Sequence, residues 1–261
     1  RNSPGAETFL VKGAPHDFGE YLRLQIDRQM YGFMQQLEGI VTDNISSDYI
    51  DSYAKWMKNK KEARIYSESQ HAGSLGPGLI LSRMIDFSGV DHLLDVAGGT
   101  GGFSIRLCQA NPKLSVSILD FPNVVAVGKE KVEEAGLSNR INFISGDALD
   151  YDWPTNCDAV LMSYLYNGVP GDAIPELARR AYEILNPKGF YIVHDFMVED
   201  NRSGPQLAAL WQLQHLAFTP AAKSITPSWV FNIMEGVGFS DINVAELIPG
   251  MTKVVWGSKP S

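Results

Sequence analysis

The chain has 261 residues, 44% hydrophobic and 20% charged, which suits one large domain or a domain with an appendage and excludes disorder over most of the length. Its formal charge of -8 with no basic stripe excludes nucleic acid as a partner, and the longest uncharged stretch, Ser203 to Ala222, is too polar for a membrane span. The only two cysteines, Cys108 and Cys157, lie far apart in apolar runs, which excludes a disulfide scaffold and a CxxC metal site and reads as free thiols in a reducing, cytoplasmic compartment.

Residues 1–85 read as helical. From Gly19 to Gly39 the apolar residues Tyr21, Leu22, Leu24, Ile26, Met30, Phe33, Met34 and Leu37 recur at three- and four-residue spacings, which predicts an amphipathic helix with Gly32 as its weak point. A second helix is predicted from Ser47 to Ala63 on Tyr49, Ile50, Tyr53, Trp56 and Met57. Its basic end, Lys58, Lys60, Lys61 and Arg64, reads as a solvated helix terminus.

From His92 onward short apolar runs alternate with helical patterns. Strands are predicted at His92–Val96, Leu114–Leu119, Ile141–Ile144, Asp158–Ser163 and Phe190–His194, with helices such as Phe103–Ala110 and Ile174–Leu185 between them. That rhythm means βαβ units and a doubly wound, mostly parallel sheet. After a helix from Pro227 to Gly236, strands near Asp241–Leu247 and Thr252–Gly257 are joined only by Ile248-Pro-Gly-Met251. So short a link favours an antiparallel hairpin at the sheet edge.

The strongest motif is Leu94-Asp-Val-Ala-Gly-Gly-Thr-Gly-Gly-Phe103, between the first strand and its helix. Glycines there allow a tight turn and close approach of a ligand beyond the strand's carboxyl end. A dinucleotide fingerprint on Gly99 and Gly101 would need glycine at 104, where Ser104 stands, so a nicotinamide dehydrogenase is disfavoured. Asp95 precedes the glycines, Asp120 ends the second strand, and Asp147 follows the third. Acids at all three places suit a cationic, phosphate-free nucleoside, and S-adenosylmethionine is such a molecule.

Leu93-Leu-Asp-Val-Ala-Gly-Gly-Thr-Gly101, Leu119-Asp-Phe-Pro-Asn-Val124, Arg140-Ile-Asn-Phe-Ile-Ser-Gly-Asp147 and Leu185-Asn-Pro-Lys-Gly189 together resemble class I S-adenosylmethionine-dependent methyltransferases. They are most similar to the small-molecule O-methyltransferase family that includes caffeic-acid and hydroxyindole methyltransferases. The resemblance covers nearly everything from Ile80 onward. It implies a Rossmann-like α/β fold with a mostly parallel seven-stranded sheet, a helical linker or lid over 1–85 and a catalytic domain over 86–261. That family's dimerisation domain has no counterpart in these residues, and a longer chain carrying it is expected to be a homodimer. The implied cofactor contacts are Asp95, Gly98, Gly99 and Gly101 around the methionine part, and Asp120 on the ribose. Phe121, Gly146, Asp147 and Ala148 would surround the adenine, and Ser163 the ribose or methionine part. Ala97 replaces the family's first glycine, which is tolerable if its φ is negative.

The family pattern breaks after the fourth strand, at Ser163-Tyr-Leu-Tyr-Asn-Gly-Val169. Asn167 stands where O-methylating members carry a histidine, and Gly168 where an aspartate follows. Asparagine takes no proton near neutral pH, and a lost general base costs about 10²–10⁴ in rate. A thioether acceptor has no proton to lose, so alignment and a cation-tolerant pocket suffice for it. Tyr66, Tyr164, Tyr166 and Trp211 are candidates for that pocket.

Tyr66-Ser-Glu-Ser-Gln-His-Ala-Gly-Ser-Leu-Gly-Pro77, Val193-His-Asp-Phe-Met-Val-Glu-Asp200 and Leu207-Ala-Ala-Leu-Trp211 resemble the methylthiohydroxybutyrate S-methyltransferases of dimethylsulfoniopropionate synthesis. That resemblance implies S-methylation of 4-methylthio-2-hydroxybutyrate, with Tyr66, Tyr164 and Asn167 at the reacting atoms. Gln70, His71, His194, Trp211 and His215 are the expected substrate contacts, and Arg64, Arg202 and Lys223 the candidate cations for a carboxylate. The alternatives are O-methylation of a phenolic metabolite by another base and a non-methylating relative that binds S-adenosylmethionine.

Overall fold

Apolar residues that alternate along short strands bury both faces of a sheet only if helices cover each face. That is the arrangement in the computed structural model, which describes residues 1–14, 17–19, 21–42, 53–216, 219 and 221–261. The strands are β1 (His92–Val96), β2 (Ser115–Asp120), β3 (Ile141–Ser145), β4 (Cys157–Ser163), β5 (Leu185–Asp195), β6 (Ser240–Ile248) and β7 (Thr252–Ser258). They form one seven-stranded sheet in the order β3-β2-β1-β4-β5-β7-β6. β1 to β5 are mutually parallel, and β7 runs antiparallel to both β5 and β6. The mostly parallel sheet with a C-terminal hairpin is as expected.

The long helices are α1 (Lys60–Met84), α2 (Gly102–Ala110), α3 (Pro122–Glu134), α4 (Ile174–Ile184), α5 (Gln206–His215) and α6 (Pro227–Val237). Leu94, Val96, Val160, Met162 and Tyr191 pack with α4 and α6 on one side of the sheet. Leu93, Val116, Ile118, Leu161 and Ile192 pack with α1 and α2 on the other. Cys108 and Cys157 are buried free thiols in these layers, and Met162, Met197 and Met234 are core filler. No described helix is long and apolar enough to cross a membrane.

The N-terminal helices differ from the expectation. The stretch read as one helix from Gly19 to Gly39 winds as Tyr21–Met30, Tyr31–Met34 and Leu37–Val41, so Gly32 is helical and the interruption falls at Gln35 and Gln36. Over Tyr21–Met30 the turns are wide, of π type, and the buried residues are Tyr21, Gln25, Gln29 and Met30. That four-to-five-residue inward spacing is not the 3.6-residue period read from the apolar pattern, and Leu22 consequently faces out. The expected helix from Ser47 falls partly outside the described residues, which omit 43–52, Tyr49 and Ile50 among them. Tyr53–Trp56 is helical, but α1 begins afresh at Lys60. The Asn59 side chain accepts hydrogen bonds from the Lys61 and Glu62 N–H groups at 3.0 and 3.2 Å. Lys60 and Lys61 therefore open a helix instead of closing one, because the Asn59 cap outweighs an unfavourable dipole.

α1 crosses α2 at close range and ties the N-terminal segment to the sheet. A Cβ on Gly102 would sit 1.9 Å from Ser74 Oγ and 2.9 Å from Ser74 Cβ. Arg64 on α1 also pairs with Glu130 on α3 at 2.6 Å, and Asn123 Nδ2 donates to the Met57 and Lys58 carbonyls. The half-exposed ion pair contributes little; the close crossing sets the geometry. Gly102→Ala should therefore destabilise the protein by about 1–3 kcal/mol through overpacking, read as a lower denaturation midpoint at unchanged slope.

Candidate active site

β1 continues to β2 on one side and, through a longer path, to β4 on the other, so a crevice opens at the carboxyl ends of these strands. A cavity of about 250 Å³ lies there. Its floor is the turn after β1. Gly99 and Gly101 have φ of +62° and +80°, and a Cβ on Gly101 would strike Ile118 at 2.7 Å. Gly99 has open space above it, while Gly101 is turned into the core and does not line the cavity. The cofactor contact expected of Gly101 is corrected to shaping the turn. Ala97 lines the cavity with φ +55°, against the negative φ expected, and its N–H is held by Leu119 O at 2.7 Å. A left-handed alanine costs about 1–2 kcal/mol, which the surrounding turn must offset.

Asp95, Asp120 and Asp147 all line this cavity, as do Gly98, Phe121, Gly146, Ala148 and Ser163. Asp95 is only 1% exposed and sits under the first turn of α2. Ser104 Oγ donates to its Oδ2 at 2.5 Å, and its Oδ1 has no partner among the described residues. Burial raises this carboxyl to about 7, opposed by the Ser104 bond and assisted by Asp120. Asp120 accepts from the Gly99 and Phe121 N–H groups at 2.8 and 2.7 Å, and burial raises it to about 6 in spite of both bonds. Among the described lining residues there is no lysine, arginine or histidine. An orphaned buried carboxylate oxygen, a second buried carboxylate and no cation fit a cationic, phosphate-free nucleoside and would repel a pyrophosphate.

A second, smaller chamber adjoins the first and shares Tyr53, Tyr66, Gln70 and Tyr164 with it. Tyr66 is hydrogen-bonded to Tyr53 and Gln70, and burial pushes its hydroxyl up to about 12. Trp211 lines only the smaller chamber, stacked on Phe196 at 4.7 Å, with Tyr21 in a looser stack at 6.4 Å. His215 lines this chamber, tilted against Tyr53, and burial lowers it to about 4. Tyr164 reaches both cavities from φ +59°, with its ring edge-on to His194 at 4.6 Å. Tyr66, Tyr164, Gln70, Trp211 and His215 are thus brought together.

Five other residues are not. Asn167 is 1% exposed and turned away, its Nδ2 donating to Asp195 Oδ1 at 2.7 Å and to Phe196 O at 3.0 Å. Together with the Asn167 N–H bond to Asp195 Oδ2, this amide satisfies a carboxylate that burial raises to about 6. His194 lies inside the sheet between Ser163 Oγ and Thr252 Oγ1, both at 2.9 Å, where it supports Tyr164 from behind. His71 bonds Thr100 Oγ1 at 2.8 Å and docks α1 on the glycine turn. Tyr166 is fully buried against the Tyr191 hydroxyl at 2.6 Å. Gly101 has been placed above. None of the five lines either cavity. The candidate cations are also spent elsewhere: Arg64 on Glu68 and Glu130, Lys223 on Asp172, and Arg202 on Ser224.

Sequence reading missed Tyr53, Met57, Ser67 and Phe103 in the larger cavity, and Tyr21, Gln25, Phe196 and Gln214 in the smaller. Tyr21, Tyr53 and Met57 were visible only as apolar positions of helices, and the glutamines carried no signal.

The Asp95 carboxyl makes the ligand-free protein sensitive to pH. Its folded pKa of about 7 exceeds the 3.8 of an ordinary aspartate, so its stabilising contribution is full below about pH 4 and lost as pH rises through 7. Thermal melts should show stability falling from about pH 4 to 7, with Asp95→Asn reducing that fall most above pH 6, beyond the range of Asp120 and Asp195. An undiminished slope in the variant would assign the titration to another group.

A family model described as an O-methyltransferase domain matches residues 50–240. The 3-hydroxy-5-methyl-1-naphthoate 3-O-methyltransferase of Streptomyces sahachiroi is 27% identical over 260 residues, spanning 99% of this chain and 75% of that protein. The L-tyrosine C(3)-methyltransferase of Streptomyces lavendulae is 29% identical over 232 residues, spanning 88% of this chain but only 59% of that protein. The crystal structure of human N-acetylserotonin methyltransferase in complex with S-adenosylmethionine superposes with a TM-score of 0.86 at 18% identity, covering 100% of this chain and 76% of that one. With the match spanning most of its length, this chain belongs to the O-methyltransferase domain family of S-adenosylmethionine-dependent methyltransferases.

Proposed function

We propose that this chain transfers a methyl group from S-adenosylmethionine to a thioether, with 4-methylthio-2-hydroxybutyrate as the acceptor and 4-dimethylsulfonio-2-hydroxybutyrate as the product. One observation carries the reading: among the described residues, no wall of the acceptor chamber offers a base matched to neutral pH. Asn167 is committed to Asp195, and His215 is held near 4. Taking a proton from a phenol of pKa ~10 with a base of pKa ~4 is uphill by about 8 kcal/mol. A thioether sulfur attacks through a lone pair and needs no such step.

S-adenosylmethionine, when bound, supplies a methyl group on a cationic sulfur. Asp120 is assigned to the ribose hydroxyls and Asp147 to the adenine amino group, with Phe121, Gly146 and Ala148 flanking the ring. Asp95, Gly98, Gly99 and Ser163 are assigned to the methionine part, where the free Oδ1 of Asp95 meets positive charge. Tyr66 and Tyr164 stand where the two cavities meet. Their ring faces stabilise a forming sulfonium by about 0.5–2 kcal/mol each, and tight enclosure supplies alignment. Residues 1–85 act in this reading as a lid and linker in a cytoplasmic enzyme, and a longer chain with the family's dimerisation domain is a homodimer.

A second reading, O-methylation of a phenolic metabolite, is favoured by the family model and by a relative whose name specifies oxygen as the methyl acceptor. His215 is then the base, being the one histidine among the described residues that lines the chamber. Incubation with the thioether acid and a panel of phenols, followed by S-adenosylhomocysteine release, separates the two. Turnover of a phenol with none of the thioether establishes the second reading, and no release with any acceptor overturns methyl transfer itself. Asp120→Ala should weaken S-adenosylmethionine at least tenfold by calorimetry, about 1.4 kcal/mol, because a carboxylate–hydroxyl bond is charge-assisted. Unchanged affinity would remove Asp120 from the ribose.

A further inference from the structure

The acceptor chamber holds polar atoms that the fold leaves without partners. Gln25 and Gln214 line it and are 1% and 2% exposed. Gln25 Oε1 and both amide atoms of Gln214 have no hydrogen-bond partner among the described residues. Gln212 shows that the fold can employ such an amide: its Nε2 donates to the Phe196 and Ile225 carbonyls and its Oε1 accepts from Ser224. An orphaned buried amide costs stability, so it marks a place that a ligand completes. The wide turns of Tyr21–Met30 bring Gln25 inward, and α5 presents Gln214 three residues beyond Trp211.

We propose that Gln25 and Gln214 hold the polar end of the methyl acceptor, and that this end is a 2-hydroxy acid; the inference rests on the thioether reading above. Two orphaned amide oxygens require a donor, and one orphaned NH₂ requires an acceptor. A hydroxyl donates its one proton to one of the oxygens, and the adjoining carboxylate accepts from Gln214 Nε2. An amino acid would present an ammonium in place of the hydroxyl, with protons for both oxygens, so charge decides between them. In a water-poor chamber beside a cationic methyl donor that ammonium is repelled, whereas a single negative charge is attracted. No aspartate or glutamate lines the chamber, among the described residues, to offset the repulsion.

The test compares wild type with Gln25→Leu and Gln214→Leu on three acceptors: 4-methylthio-2-hydroxybutyrate, methionine as its 2-amino counterpart, and ethyl methyl sulfide with no polar end. Wild type should prefer the hydroxy acid over both others. Each variant should reduce the kcat/KM ratio of hydroxy acid to plain sulfide at least tenfold, mainly through KM. An unchanged ratio in both variants, or a wild-type preference for methionine, overturns the proposal. Melts of the ligand-free proteins give a readout independent of the acceptor. Each leucine removes an orphaned amide and should raise Tm by about 2–4 °C. If wild type turns over no thioether, the thioether reading fails by itself; a raised Tm in that case still supports a ligand role for the two amides, and a lowered Tm removes it.

Discussion

Burial of carboxylates at the open edge of a parallel sheet is the constraint on which this site depends. Asp95, Asp120 and Asp195 end or nearly end β1, β2 and β5, and each is raised above the ordinary aspartate range by loss of water. The fold meets that cost differently at each. Asp195 is satisfied by Asn167 and the Phe196 N–H group, so it is a structural carboxylate. Asp120 is held by two backbone N–H groups yet still faces the cavity. Asp95 keeps one oxygen without a partner and is the most perturbed of the three. A cationic ligand placed against that oxygen would relieve the cost that the chain leaves unmet.

The two cavities are built from elements of different kinds. Strand ends and the glycine turn form the larger one, where sheet hydrogen bonds determine each backbone position. Ala97 and Tyr164 keep left-handed φ there because the neighbouring strands hold their N–H groups, on Leu119 O and His194 O. The smaller chamber is closed by the N-terminal helical segment and α5, which meet across aromatic rings. Its shape therefore depends on how α1 is seated on α2. The absence of a side chain at Gly102 and the His71–Thr100 bond fix that seat.

Asn167 looks different once packing is known. From the chain alone, position 167 belonged to the reacting atoms. In the structure it serves Asp195, as a buried amide that accepts no proton near neutral pH. Proton abstraction at that position is thereby excluded by hydrogen bonding as well as by chemistry.

Much of the sheet was legible before any coordinates, because strand alternation and the Leu94–Phe103 turn are local. β1 was read with its observed bounds, and Asp95, Gly99, Asp120, Phe121 and Asp147 follow directly from standing at strand ends. Only the tertiary structure decided which polar residues look inward. His194 and His71 stand at strand-end and motif positions that suggested contact, yet Thr252 and Thr100, distant in sequence, claim them. Gln25 carried no signal because a wide helical turn, and not the 3.6-residue period, carries it into the chamber. Local sequence determines where a backbone turns and which strand face is apolar. The direction of a buried polar side chain is set by partners that arrive from elsewhere in the chain, and those exist only once the helices have packed.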